Sequence, residues 1–71
     1  MELSVSRIVP YSKGVSFCDN QDNFYCWLTE DHSSPMFIYY YNDKVDVVFD
    51  FCDIKGDVNY VKNLKVIGED I

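Results

Sequence analysis

Hydrophobic and polar residues alternate along much of this chain, and short polar segments separate the alternating stretches. Alternation with a period of two is typical of β-strands that bury one face. The pattern predicts five strands, at about residues 2–9, 15–18, 24–29, 44–52 and 58–67. Pro10 is expected to end the first strand or to force it to a sheet edge, because proline has no amide hydrogen to donate within a sheet.

Within the third and fourth predicted strands the alternation separates two faces. One face of each strand is apolar and is expected to point into a core, and on the fourth strand this face continues to Phe51. Tyr25 and Trp27 lie on the opposite face of the third strand, and Asp46 and Asp50 on the opposite face of the fourth. The residues expected to be largely buried are Val5, Val9, Cys18, Phe24, Cys26, Leu28, Val45, Val47 and Phe49.

Polar and turn-forming residues fill the segments between the strands. Residues 11–14, 19–23, 30–35 and 53–57 are expected to be turns or loops. Residues 36–41 form the longest uninterrupted apolar run, and periodicity leaves open whether they make a short buried strand or a single helical turn. The last residues, 68–71, are expected to be a frayed tail.

These elements predict the fold class. Five short strands in 71 residues, with no amphipathic helix, make one all-β domain spanning residues 1–71. Closing such strands into a barrel removes exposed sheet edges. We therefore expect a small five-stranded OB-like barrel, with an SH3-like barrel as the alternative.

The charge of the chain bears on its partners. Six basic and twelve acidic residues give a net charge of −6, and nine of the acids lie between residues 19 and 57, where only Lys44 and Lys55 oppose them. A negative field repels phosphate groups and suits a partner with a basic surface. It also keeps a small, aromatic-rich protein in solution.

Other residue types narrow the class of protein. The three cysteines include no Cys-x-x-Cys pair and are expected to be reduced and mostly buried, and His32 is the single histidine. The sequence contains neither a nucleophile motif nor a phosphate-binding glycine loop. The longest apolar run has six residues, whereas a membrane-spanning helix needs about 20. We expect a cytoplasmic binding module that is not an enzyme and uses no metal or cofactor.

Residues 7–18 resemble the opening motif of the cold-shock domain, in which a basic residue, aromatic residues and a Lys-Gly pair precede a phenylalanine. Lys13, Gly14 and Phe17 match that motif, and Arg7 replaces another basic residue. A second motif of the family is similar to residues 24–28. The resemblance extends over about residues 5–66 and is one of pattern more than of identity.

The sequence also departs from the cold-shock pattern. Ile8, Val9 and Val15 stand where the family carries aromatic rings, and Ser16 replaces a small glycine. An aromatic ring contributes about 1–3 kcal/mol when a base stacks on it. The expected stacking surface is therefore a reduced one.

The resemblance implies a five-stranded OB barrel whose second and third strands bind single-stranded RNA or DNA. In the family, aromatic side chains on these strands stack on bases while nearby cations contact phosphates. Tyr25 and Trp27 take the positions of the stacking ring and histidine in the second motif. The implied nucleic-acid-binding residues are Arg7, Tyr11, Lys13, Phe17, Tyr25 and Trp27.

A partner of a different class is also consistent with the sequence. Very small, acidic, aromatic-rich proteins are common among phage-encoded inhibitors of host nucleic-acid enzymes, whose basic grooves they occupy. Carboxylates at alternate positions of a strand stand about 6.6–7 Å apart, close to the separation of adjacent phosphates. Asp46 and Asp50 are the first candidates for such mimicry of DNA, followed by Asp53. The alternative function is therefore an inhibitor or adaptor that binds a basic host protein.

Overall fold

Five strands close into a barrel in the computed structural model, which describes residues 1–69. Their order around the barrel is β1-β2-β3-β5-β4, and β4 pairs with β1 to complete the ring. Neighbouring strands are antiparallel except for β3 and β5, which run parallel. The strands are β1 (Glu2–Tyr11), β2 (Gly14–Asp19), β3 (Phe24–Leu28), β4 (Val45–Lys55) and β5 (Val58–Glu69). The predictions of an all-β chain and of a small five-stranded OB-like barrel are confirmed.

The apolar run between β3 and β4 forms a helical turn, the second of the two alternatives left by the sequence. A single 3-10 turn spans Pro35–Ile38, and the hydroxyl of Ser34 accepts a hydrogen bond from the Met36 amide at its start. Met36 is completely buried and Tyr39 is largely buried. This segment therefore adds side chains to the core without adding a strand.

The core is built from the inward-facing residues of all five strands. Phe17 and Tyr25 stack with ring centroids 5.4 Å apart, and Phe49 lies 5.7 Å from Tyr25. Large rings fill a small barrel efficiently, because each buries much apolar area on a compact side chain. The buried core residues are Val5, Ile8, Val15, Phe17, Tyr25, Met36, Tyr39, Val45, Val47, Phe49, Val61 and Leu64.

A β-bulge in β1 explains why Val9 is 41% exposed, against the prediction that it is buried. Ser6 lies opposite Cys18 and Val9 opposite Ser16, so β1 contains one more residue than β2 over this interval. Arg7 adopts a positive φ of 51° within that interval. The extra residue shifts the alternation by one position. Ile8 therefore faces the core in place of Val9.

Pro10 does not end β1 but lies at an edge, the second of the two outcomes expected. The strand continues to Tyr11, and Pro10 pairs with Val15 of β2. On the other side, β4 pairs with β1 only from Glu2 to Val5. Pro10 thus lies where β1 has a partner on one side only, which is the position at which a sheet tolerates proline.

The two faces of β3 are the reverse of those predicted. Tyr25 is buried and Trp27 packs against the core, whereas Phe24 is 52% and Leu28 is 55% exposed. Cys26 shares the outer side with Phe24 and Leu28, yet it is buried as predicted. Alternation therefore identified which residues share a face but assigned the wrong face to the core.

The β4–β5 hairpin is longer and tighter than predicted. Its loop has two residues, Gly56 and Asp57, rather than a turn over residues 53–57, because Lys55 and Val58 still pair. Gly56 takes a φ of 60°, which suits the first position of such a loop. The outer part of the hairpin, residues 50–57, is exposed, and this includes Phe51, which was predicted to face inward.

Two of the three cysteines are buried, and β5 extends almost to the end of the chain. Cys18 and Cys26 are buried, Cys52 is exposed, and all three are free. Gly68 and Glu69 belong to β5 and pair with Asp46 and Val45, so the prediction of a frayed tail is wrong for these two residues. The remainder of that predicted tail, residues 70 and 71, lies outside the described residues.

Candidate functional site

Two of the rings predicted to stack on bases lie in the core. Phe17 is 1% and Tyr25 is 5% exposed, and each ring is stacked against the other. Their side chains point into the barrel because β2 and β3 both contribute alternate residues to its interior. The prediction that these two rings stand on an exposed face is therefore corrected.

Trp27 also points inward, although it is only partly buried. The centroid of the Trp27 ring lies 6.3 Å from that of Phe37 in the 3-10 turn. The His32 ring stacks on Phe37, with ring centroids 4.6 Å apart. The His32 Nε2 atom is 3.1 Å from the carbonyl oxygen of Ser12 in the β1–β2 turn. Trp27 thus belongs to a cluster that holds the segment after β3 against the barrel, not to an open stacking face.

Arg7 is already paired with a carboxylate. Its guanidinium donates to the side chain of Asp22, and both groups are at the surface. An arginine that is engaged in this way offers less positive charge to a phosphate than a free one. Among the predicted cations, Lys13 is the one that stands exposed without such a partner within residues 1–69.

Tyr11 remains on the outside of the barrel and crosses towards β3. Its hydroxyl oxygen lies 3.1 Å from the Cys26 Sγ atom, so the side chain helps to cover this thiol. The hydrogen bond with Cys26 and partial burial raise the pKa of Tyr11 to about 12. The phenol, which is neutral at physiological pH in any case, can donate a hydrogen bond.

An exposed apolar surface lies on the outer side of β3, where the sequence predicted core residues. Phe24 and Leu28 project from β3 itself and are exposed, and the partly buried Tyr60 lies beside them on β5, opposite Cys26. Tyr11 is the last residue of β1 and pairs with Gly14 of β2, which in turn pairs with Leu28 of β3. We refer to Tyr11, Phe24, Leu28 and Tyr60 as the outer β3 face.

Three lysines surround one end of the outer β3 face. Lys13 lines a surface pocket with Leu28, and Lys55 and Lys62 line a second pocket with Leu28 and Tyr60. These pockets contain two carboxylates, those of Glu30 and Asp53. On a chain of net charge −6, three of the six basic residues line these two pockets, and Asp50 lies opposite Lys62 beside them.

The loop that carries Lys13 is held in place by close backbone contacts. The Thr29 amide donates to the Lys13 carbonyl oxygen at 2.9 Å, which joins the β1–β2 turn to the end of β3. A Cβ atom on Gly14 would lie 1.9 Å from the Trp27 carbonyl oxygen, so only glycine allows this approach. The lysine therefore sits beside Leu28 on a constrained turn.

Asp46 and Asp50 do not have the spacing that mimicry of phosphates requires. They are four positions apart on β4, so the distance between them along the strand is about 13 Å, twice the separation assumed. Asp46 accepts a hydrogen bond from the Ser4 hydroxyl, and Asp50 accepts one from the Asn63 amide and lies opposite Lys62. The two carboxylates do not form an unbroken acidic row.

Sequence reasoning missed the role of Asp19, which it placed in a polar loop. Asp19 is the last residue of β2 and is 6% exposed. Its carboxylate accepts hydrogen bonds from the amides of Gln21 and Asn23, the Asn23 side chain and the Tyr25 hydroxyl, at 2.8–3.0 Å. Burial by itself raises the pKa of Asp19, but these hydrogen bonds outweigh it and hold the pKa below its usual value. Asp19 therefore organises the β2–β3 loop and anchors Tyr25 in the core.

The chain matches no protein-family model, and no curated protein or solved structure is significantly similar to it. Within residues 1–69, no helix is long and apolar enough to cross a membrane. The same residues bring together no group of three or more His, Cys, Asp or Glu side chains that could hold a metal ion.

Proposed function

We propose that the protein binds single-stranded RNA or DNA on the outer β3 face. The observation that carries this proposal is the coincidence of exposed apolar side chains with a local cluster of three lysines. Leu28 and Tyr60 lie beside Lys13, Lys55 and Lys62, on a protein that is acidic elsewhere. Single-strand binding needs these two components together, apolar surfaces for the faces of the bases and cations for the phosphates.

The position of this surface on the barrel supports the proposal. OB-type barrels bind oligonucleotides on the second and third strands, between the loop that joins strands one and two and the loop that joins strands four and five. Here the first loop carries Lys13, and the β4–β5 hairpin carries Lys55. The outer β3 face lies between them.

The proposal keeps the cold-shock resemblance but changes the residues that contact the bases. Tyr11 and Lys13 remain from the set that the resemblance implied. Phe24, Leu28 and Tyr60 take the place of the buried Phe17 and Tyr25. An aliphatic leucine contacts a base less favourably than a ring does, so we expect weaker binding than a full aromatic platform gives.

Fluorescence anisotropy with labelled oligonucleotides tests the proposal. At low salt, we expect micromolar binding of nine-nucleotide DNA and RNA strands. Tyr60→Ala should weaken this binding about 5- to 150-fold, the range that corresponds to the loss of one stacked base. Tyr41→Ala, which changes an exposed tyrosine outside the face, is the matched control and should bind like the wild type. Absence of binding to every strand at low salt would contradict the proposal.

A basic protein partner is the second candidate, and the net charge of −6 is the observation that favours it. In this case carboxylates outside the outer β3 face, Asp46 and Asp50 first, would contact lysines and arginines of the partner. Because Asp46 and Asp50 are too far apart to imitate adjacent phosphates, they would bind the partner through attraction between opposite charges. A partner recovered from a host lysate by the wild type and lost with the Asp46→Asn, Asp50→Asn double variant would support it, whereas equal recovery would argue against it.

A further inference from the structure

A pocket of about 310 Å³ opens between the end of β3 and the β4–β5 hairpin. Its volume lies at the lower limit of about 300–1,000 Å³ that is typical of small-ligand sites. The residues that line it are Leu28, Cys52, Asp53, Lys55, Tyr60, Val61 and Lys62. The pocket therefore combines apolar walls with two cations and one carboxylate.

The walls of the pocket suit a flat ring. Tyr60 provides an aromatic side, and the Lys55 Nζ atom lies over its ring, 5.7 Å from the centroid, so a base that stacks on this face takes the place of the ammonium group. Leu28, on the neighbouring strand, is exposed and apolar. A base that enters between these side chains can stack on an aromatic ring while its edge meets the polar groups of the hairpin.

The Asp53 carboxylate can accept further hydrogen bonds. It lies directly opposite Tyr60 in the β4–β5 ladder, and its Oδ1 atom accepts a hydrogen bond from the Ile54 amide at 2.8 Å. A carboxylate has about four lone-pair positions on its two oxygens, so further acceptor positions are available. Within residues 1–69 the ion pair observed is that of Arg7 with Asp22, and neither Lys55 nor Lys62 is paired with Asp53.

The Asp53 carboxylate and the neighbouring lysines match the hydrogen-bonding pattern of one base better than that of the others. A carboxylate accepts hydrogen bonds, and guanine is the base whose Watson–Crick edge presents two adjacent donors, the N1–H and the N2 amino group. Its O6 atom, on the same edge, is an acceptor that a lysine ammonium can contact. Uracil and thymine present one donor between two acceptors, adenine presents one donor beside one acceptor, and cytosine presents one donor beside two acceptors.

We infer that this pocket selects guanine within a bound single strand, with the Asp53 carboxylate accepting from N1–H and N2–H and with Tyr60 stacking on the base. This inference rests on the proposed function and assigns a base preference to the same face. A bidentate contact of this kind discriminates by about 1–3 kcal/mol, which corresponds to a 5- to 150-fold difference in affinity. The preference therefore becomes visible when a single base is changed in an otherwise constant strand.

Anisotropy with four labelled nonamers tests the inference. Each has four thymidines on either side of a central guanine, inosine, adenine or thymine, and uridine versions provide the RNA arm. We expect the guanine strand to bind at least about 5-fold more tightly than the thymine strand, because it alone offers both donors. Inosine keeps N1–H and O6 but lacks the N2 amino group, so its strand should bind with intermediate affinity.

Asp53→Asn and Asp57→Asn form a matched pair of variants. Both remove one charge from the exposed end of the same hairpin, but Asp57 lies outside the pocket. We expect Asp53→Asn to abolish the preference for guanine while it still binds the thymine strand, and Asp57→Asn to retain the preference. Equal wild-type affinity for all four strands, or a preference that survives Asp53→Asn, would overturn the inference and leave the proposed function standing. If no strand binds at low salt, both fail.

Discussion

The two sides of β3 carry similar side chains but have opposite environments. Tyr25 and Trp27 point into the barrel, and Phe24 and Leu28 point away from it. Hydrophobicity does not explain this choice, since phenylalanine and leucine are at least as apolar as tyrosine and tryptophan. The difference is that Tyr25 has a buried partner, because its hydroxyl donates to Asp19 at 2.8 Å. This buried hydrogen bond favours the orientation in which Tyr25 faces the core and Phe24 and Leu28 face the surface.

The comparison predicts very different costs for removing two adjacent aromatic rings. Tyr25→Ala should lower the free energy of unfolding by about 3–5 kcal/mol, because it leaves a cavity between Phe17 and Phe49. Phe24→Ala should lower it by less than about 1 kcal/mol, because this ring is already half exposed. Urea unfolding followed by Trp27 fluorescence measures both values. Equal losses in the two variants would show that the sides of β3 are not distinguished in this way.

The next prediction concerns the group that fixes the orientation of Tyr25. Asp19→Asn should lower the free energy of unfolding by about 1–3 kcal/mol at pH 7, because a hydrogen-bonded carboxylate is replaced by a neutral amide with one acceptor oxygen. The pKa of Asp19 in the folded protein lies below its unfolded value, which is about 3.9. Its contribution is therefore fully present above the unfolded pKa and is lost as the pH falls through the folded pKa.

Measuring the free energy of unfolding at pH 7 and pH 3 distinguishes the contribution of the ionised Asp19 carboxylate from a general effect of charge. The difference in stability between the wild type and Asp19→Asn should shrink at the lower pH. Asp57→Asn removes a charge from the exposed hairpin loop and should give little difference at either pH. A difference for Asp19→Asn that stays constant between the two pH values would exclude the ionised carboxylate as its source.

The smallest expected effect is the change in the salt dependence of oligonucleotide binding when a single lysine is replaced. Each phosphate contact on a single strand contributes about −0.7 to the slope of log K against log salt concentration. Lys62→Gln should therefore make the slope less negative by about 0.7, and Lys44→Gln, away from the outer β3 face, should leave it unchanged. Anisotropy titrations between 50 and 200 mM salt, a range over which such slopes are resolved, measure both variants. Identical changes in the two slopes would mean that the lysines act through the net charge alone.

Much of the fold was predictable because alternation and turn residues act locally. The five strands and the closed barrel follow from them, and Val45, Val47 and Phe49 were assigned correctly to the core. The bulge at Arg7 could not be predicted from the pattern, because no residue type marks it. This bulge moves Val9 to the surface. The outer β3 face was missed because alternation shows which residues share a face but not which face is buried, and the contact between Tyr25 and Asp19 that favours the observed orientation is not visible in the pattern.

A map of amide chemical-shift changes on adding a guanine-containing nonamer to the ¹⁵N-labelled protein tests the central claim most directly. The claim is that the outer side of β3 binds single strands and the inner side is structural. We predict shift changes concentrated at Lys13, Leu28, Asp53, Lys55 and Tyr60, with smaller changes at Phe17 and Val47 in the interior. Shift changes concentrated instead around Glu2, Asp46 and Asp50, or no shift changes at low salt, would contradict the account.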